Sequence, residues 1–146
     1  KGVVKAIAYD PISKKTSDVA MKELDLPKEY YKTSSNSRIF DGNLNSLVYL
    51  NINEPITIVF NEKQNISGFR YTPNQARDAS GHIVDYELYV DGKLIMKSSF
   101  GNIKNNPIEQ VVKFESIKGK EVKFIPKSNI DNAKNCGVAE FSVITD

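Results

Sequence analysis

The chain has 146 residues, 40% hydrophobic and 26% charged, with a formal net charge of +2, the proportions of a globular domain long enough to bury a core without disulfide or metal staples. No apolar run approaches the roughly 20 residues of a membrane helix, and lysines spread along the chain leave no basic patch for a polyanion. Membrane insertion and nucleic-acid binding are set aside.

Residues 1–146 are expected to form one domain, and the abrupt start at KGVVKA reads as a piece of a longer chain. VVKAIAY at 3–9 is read as hydrophobic alternation with a period of two, which predicts a strand. SDVAMKELD at 17–25 is the one candidate helix, with a cap at Ser17 or Asp18 and a stop at Pro27; one or two turns or none fit equally. DGNLNS at 41–46 is a turn by composition, since Gly gives positive φ and short polar side chains bond their own backbone. It holds more oxygens than a turn needs.

Further alternation at ITIVF (56–60), ISGFRY (66–71), VDYELYV (84–90), EVKF (121–124) and AEFSVI (139–144) predicts more strands. In VDYELYV, Val84, Tyr86, Leu88 and Val90 fall on one face and Asp85, Glu87 and Tyr89 on the other. DGK at 91–93 predicts a hairpin into LIMKSS, because Asp-Gly accepts the positive φ pair of tight hairpins. Between the strands lie polar loops, PNQARDASGH (73–82), GNIKNNP (101–107) and KSNIDNAKNCG (127–137), where such folds keep their function. The pattern predicts an all-β antiparallel β-sandwich, with a partly closed barrel as the rival.

Catalytic chemistry finds little support. The only histidine, His82, sits near Asp78 and Asp85, but no G-x-S-x-G elbow supplies a nucleophile, and an exposed loop histidine is the plainer reading. One Cys and one His do not make the usual zinc site. Cys136 has no disulfide partner and reads as a buried, inert thiol. The 18 acidic residues leave a glycosidase-type carboxylate pair arithmetically open, against the plain reading of a solvated surface. For DGNLNS, a hard cation takes six to eight oxygens; Asp41 offers a carboxylate, Ser46 a hydroxyl and the turn between them carbonyls, and Glu140 in the last strand could close the site. On residue types alone the plain turn outranks the metal.

The order of the pieces FDGNLNS, ISGFRYTPNQ, SGHIVDYELYVDGK, FGNIKNNPIEQVVKF and GVAEFSV resembles the discoidin domain, also called the coagulation factor 5/8 C-terminal domain. Within that group it is similar to the family 32 carbohydrate-binding modules of bacterial glycoside hydrolases. The likeness covers about residues 39–144 and implies a jelly-roll β-sandwich. It also implies a structural calcium held by the Arg38 carbonyl, the Asp41 carboxylate, the Asn43 carbonyl, the Ser46 carbonyl and hydroxyl, the Ala139 carbonyl and the Glu140 carboxylate. Ser46 stands where the family usually has Thr. With the resemblance added, the metal is favoured over the bare turn.

The family's galactose contacts fall by position on Tyr49, Asn74 and Ser80, and the late loop has no aromatic, so the galactose constellation is missing. Replacement glycan contacts are Asn74, Gln75, Arg77, Asp78, His82, Asn102, Asn105 and Asn106, with Tyr49 or Tyr71 offering a ring face. For Tyr71 a core role is the plain alternative, and for Asn105-Asn106-Pro107 a simple turn. The resemblance implies a non-catalytic domain, secreted, periplasmic or on the surface of a bacterium. Its partners would be a glycan and the catalytic domain of a parent glycoside hydrolase, such as a hexosaminidase or chitobiase or a fucosidase. The alternative is a structural or protein-interaction domain packing on that catalytic domain.

Overall fold

A computed structural model describes residues 2–24 and 30–146. The described strands are β1 (Gly2–Ala6), β2 (Tyr9–Asp10), β3 (Lys15–Thr16), β4 (Ala20–Leu24), β5 (Tyr31–Thr33), β6 (Val48–Asn51), β7 (Ile56–Pro73), β8 (Asp85–Val90), β9 (Lys93–Ser99), β10 (Gln110–Pro126) and β11 (Asn135–Thr145). Seven of them form one antiparallel sheet in the order β6-β11-β7-β10-β8-β9, with β5 on the free side of β7.

The sheet makes two layers because β7 and β10 run through both. The second half of β7 pairs with β11 and with the start of β10 (Tyr71↔Gln110), while its first half pairs with β5 and with the end of β10 (Ile56↔Phe124). The end of β10 pairs in turn with β8. Curling this sheet brings aromatic side chains of the two layers together. The ring centroids of Phe69 and Phe124 are 5.3 Å apart, those of Phe124 and Phe141 5.1 Å, and those of Tyr86 and Phe100 4.5 Å. Phe69, Tyr71, Phe124 and Phe141 are all buried, and each such ring removes on the order of 150–250 Å² from water. The expected sandwich is therefore present.

Alternation holds in β8, where Tyr86, Leu88 and Val90 are buried and Asp85 is exposed. Asp91 and Gly92 both have positive φ, 48° and 77°, which is the twist-matched two-residue turn expected of Asp-Gly. The Asp91 carboxylate then accepts the N–H groups of Lys120 and Glu121 at 2.9 and 2.8 Å, tying the hairpin to β10.

The N-terminal part differs from expectation. Residues 20–24 form a strand, not the candidate helix; β4 pairs with β1 from Ala6↔Ala20 to Gly2↔Leu24. Asp25 and Pro27, the expected end of that helix, lie outside the described residues. Strand 3–9 is interrupted at Ile7 and Ala8 and resumes as β2, which pairs with β3. Among the described residues, the resulting ribbon pairs only with itself.

Candidate functional site

Two places deserve chemical description, one at the 41–46 turn and one where β6 and the start of β11 meet the loops at 80–81 and 131–133. At the first, the 3₁₀ turn Ser37–Phe40 is capped by the Asn36 side chain and buries Ile39 and Phe40, so Asp41 emerges at the edge of the core. Asp41 Oδ1 accepts the Asn43 N–H at 2.8 Å and its Oδ2 accepts the Ser46 hydroxyl at 2.6 Å. Ser46 is itself buried.

β11 meets this turn at Glu140. The ladder with β7 slips one residue between Val138 and Glu140, a bulge that takes Ala139 out of regular pairing beside the turn. Glu140 faces the Asp41 side chain and the backbone N–H groups of Gly42 and Asn43. Burial first, and then Asp41, pushes its carboxyl up to about 7 against the lowering effect of those N–H groups. Glu140 Oε1 is buried without a hydrogen-bond partner. An orphaned oxygen beside a second carboxylate suits a cation, because two facing carboxylates raise each other's proton affinity until a positive charge separates them. Among the described residues no three His, Cys, Asp or Glu side chains cluster, so this donor set needs Ser46 and backbone carbonyls to reach the oxygen count of a hard cation.

The second place is an open depression of about 350 Å³ lined by Tyr49, Ser80, Gly81, Asp131, Ala133 and Asn135. In β6, Val48 and Leu50 point inward and leave Tyr49 outward, 54% exposed. Tyr49 lies opposite Gly137 of β11, and Gly137 N donates to the Gly81 carbonyl at 2.8 Å. Gly81 has φ +73°, and a Cβ there would come within 2.9 Å of Gly137 N, so the close approach of the two loops requires glycine. Asp131 Oδ2 accepts the Gly81 N–H at 2.6 Å. Asn129, buried, shapes the late loop: its Nδ2 donates to the carbonyls of Ala133 and Asn135, and its Oδ1 accepts from Asp131 N and Ala133 N.

The ten candidate glycan contacts separate by location. Tyr49 lines the depression. Tyr71 is fully buried, its hydroxyl donating to the Gly137 carbonyl at 2.9 Å and accepting the Ile83 N–H at 3.1 Å, so it has the core role and offers no ring face. Burial raises its phenol pKa well above the usual range. Asn74 is buried and accepts the Ala76 N–H. His82 is 3% exposed, which corrects the expectation of a solvent-facing histidine. Its Nδ1 has no hydrogen-bond partner, and burial lowers its pKa against the opposing pull of Asp131.

Gln75, Arg77, Asp78, Asn102, Asn105 and Asn106 are exposed and stand off the depression walls. Gln75 Nε2 bridges the carbonyls of Pro73 and Pro107. Asn102 accepts backbone bonds from Asn105 and Asn106, the simple turn considered from the sequence. Asp131, Ala133, Asn135 and Gly81 are not among the sequence candidates: the late loop has no aromatic, and its one wall carboxylate carries no motif. Cys136 is buried and unpaired, with burial pushing its thiol up to about 12, as an inert thiol should be.

A family model described as the F5/8 type C domain matches residues 20–141. Among solved structures, the chain is similar to CpGH89CBM32-5 from Clostridium perfringens, in complex with GalNAc-β-1,3-galactose, at 21% identity and TM-score 0.69, over 83% of this chain and 99% of that one. It is similar to the family 32 CBM of NanJ from the same organism, in complex with galactose, at 18% identity and TM-score 0.63, over 77% and 90% of the two chains. CBM32-1 from a family 31 glycoside hydrolase of Clostridium perfringens matches at 18% identity and TM-score 0.60, over 77% and 92%. At these identities the likeness speaks for the fold. No curated protein matches the chain.

Proposed function

The chain belongs to the F5/8 type C domain family, and from that membership we propose that it is a non-catalytic carbohydrate-binding module holding a secreted or surface bacterial glycoside hydrolase on its glycan. The observation that carries this reading is convergence. Tyr49, Ser80 and the late loop, to which the family's sugar contacts carry over by position, line one depression, with Asn74 buried nearby under Gly137. Exposed Tyr49 offers a ring for a sugar's C–H face, and Ser80, Asp131 and Asn135 offer groups for its hydroxyls. The ligands named for the similar structures, GalNAc-β-1,3-galactose and galactose, support the glycan class, and the family 31 parent of a third supports the type of enzyme.

Affinity is expected to be weak, about micromolar to millimolar, because sugar hydroxyls exchange water for protein at little net gain. Glycan-array screening followed by calorimetric titration tests the reading. Binding that disappears in Tyr49→Ala at unchanged melting temperature supports it; failure to bind any glycan retires it. One observation favours the second reading, a protein-interaction domain: Val3, Val4, Ile7, Tyr9 and Ile12 of the N-terminal ribbon are all more than half exposed. Co-purification of the chain with the catalytic domain of its parent, in the absence of glycan binding, would favour that alternative.

We also read the Asp41–Glu140 pair as a structural calcium site, with the Arg38, Asn43, Ser46 and Ala139 carbonyls and the Ser46 hydroxyl completing the donors. The ion would supply positive charge between the two carboxylates. The chain's own part is to fasten the 41–46 turn to β11. A ligand present at about a hundred times its dissociation constant adds roughly 2.7 kcal/mol, so chelator should lower the melting temperature, and Glu140→Gln should abolish that response. A melting temperature indifferent to chelator refutes the metal.

A further inference from the structure

The walls of the Tyr49–Asn135 depression hold one acidic side chain, Asp131, and neither lysine nor arginine. Resting on the glycan-binding reading above, we propose that this site selects sugars bearing a free, protonated amine over their neutral N-acetylated forms, and rejects acidic sugars.

The geometry supports this in three ways. First, the Asp131 carboxylate is oriented, because Oδ2 is fixed by the Gly81 N–H at 2.6 Å, and a carboxylate has acceptor capacity beyond one bond. The loop behind it is held by the four hydrogen bonds of buried Asn129, so the acceptor is presented without further ordering. Second, the side chains of Ser80 and Asn135 are neutral, and Tyr49 is 54% exposed; an aromatic face attracts a cation and does not attract an anion. Third, no counter-charge on the walls would receive a sugar carboxylate. Lys134 precedes Asn135 but stands off the walls, and His82, next to Gly81 in the chain, is buried and does not line the depression. An acidic sugar would meet Asp131 unshielded, an arrangement that discriminates by repulsion.

Asp131 is exposed, so the preference is modest: exposed ion pairs give about a threefold change in affinity. The test is calorimetric titration of the whole chain at about pH 6, where an aliphatic amine is charged. The probes are glucosamine, galactosamine, their N-acetyl forms, glucuronic acid and galacturonic acid. The amine of at least one pair is expected to bind about threefold more tightly than its N-acetyl partner, the uronic acids more weakly than either. That advantage should shrink at high salt and vanish in Asp131→Asn, whose amide oxygen still accepts the Gly81 N–H. Equal binding of amine and N-acetyl forms, or a preference surviving Asp131→Asn or high salt, overturns charge selection and leaves glycan binding standing. Absence of binding by every probe overturns amine selection, while the glycan array decides separately whether glycan binding stands.

Discussion

The N-terminal ribbon and the sandwich are both read as strands and end in opposite states. VVKAIAY, an apolar stretch broken only by Lys5, and the alternating VDYELYV both run extended, yet Val3 and Val4 are 55% and 51% exposed while Tyr86 and Leu88 are 3% and 1% exposed. Consecutive Val3 and Val4 point to opposite faces of a strand, so both faces of the ribbon are wet. Apolar strand-forming residues thus specify an extended backbone, and burial needs a second layer, which β7 and β10 supply to the sandwich and nothing described supplies to β1–β4. A two-stranded ribbon of this kind is marginal by itself in water. The family match beginning at residue 20 agrees with a body that folds without most of it.

Mutations should separate the two regions widely. The largest effect is expected from Phe124→Ala, which empties a buried site shared by both layers and should cost about 3–5 kcal/mol in denaturant unfolding. Tyr71→Phe should follow at roughly 1–3 kcal/mol, since it leaves the buried Gly137 carbonyl and Ile83 N–H without their partner. His82 gives a smaller, pH-dependent effect. Its folded pKa lies below the unfolded value of 6.5, so below that pH the unfolded chain binds more protons, and stability should fall as pH drops through 6.5 toward the folded value. Glu140, raised, acts with the opposite sign, so the difference between wild type and His82→Gln, followed by thermal melts across this range, isolates the histidine. Smallest of all, Val4→Ala and Ile12→Ala should move stability by about 0.5 kcal/mol or less. A loss near that of Phe124→Ala would mean that the ribbon packs on the body after all.

What could be read from the residues follows the same division. The strands with one wet face, the Asp-Gly hairpin and the inert thiol were legible because each rests on local pattern or composition. The full lengths of β7 and β10 were not. Asn61–Asn65 is polar and mostly exposed, so it reads as a break, yet Gln64 and Asn65 pair with Gly119 and Lys118, and hydrogen bonding alone keeps that stretch extended. The 20–24 segment carried a helical reading because Ala20, Met21, Lys22, Glu23 and Leu24 are all good helix formers, and pairing with β1 makes it a strand instead. At the candidate sites, Tyr49 was legible as a position, and the meeting of Asp41 with Glu140 through the family likeness. Asn129 and Asp131 were hidden, since amides and acids are ordinary in loops and only the folded geometry gives these two work.

Because β7 and β10 each belong to both layers, neither half of the sandwich has an independent melting unit. The sandwich should come apart in a single cooperative step, with the amide protons of Phe69 in one layer and Phe124 in the other exchanging at matched rates. Mechanical load on one edge is therefore borne by the whole sandwich at once.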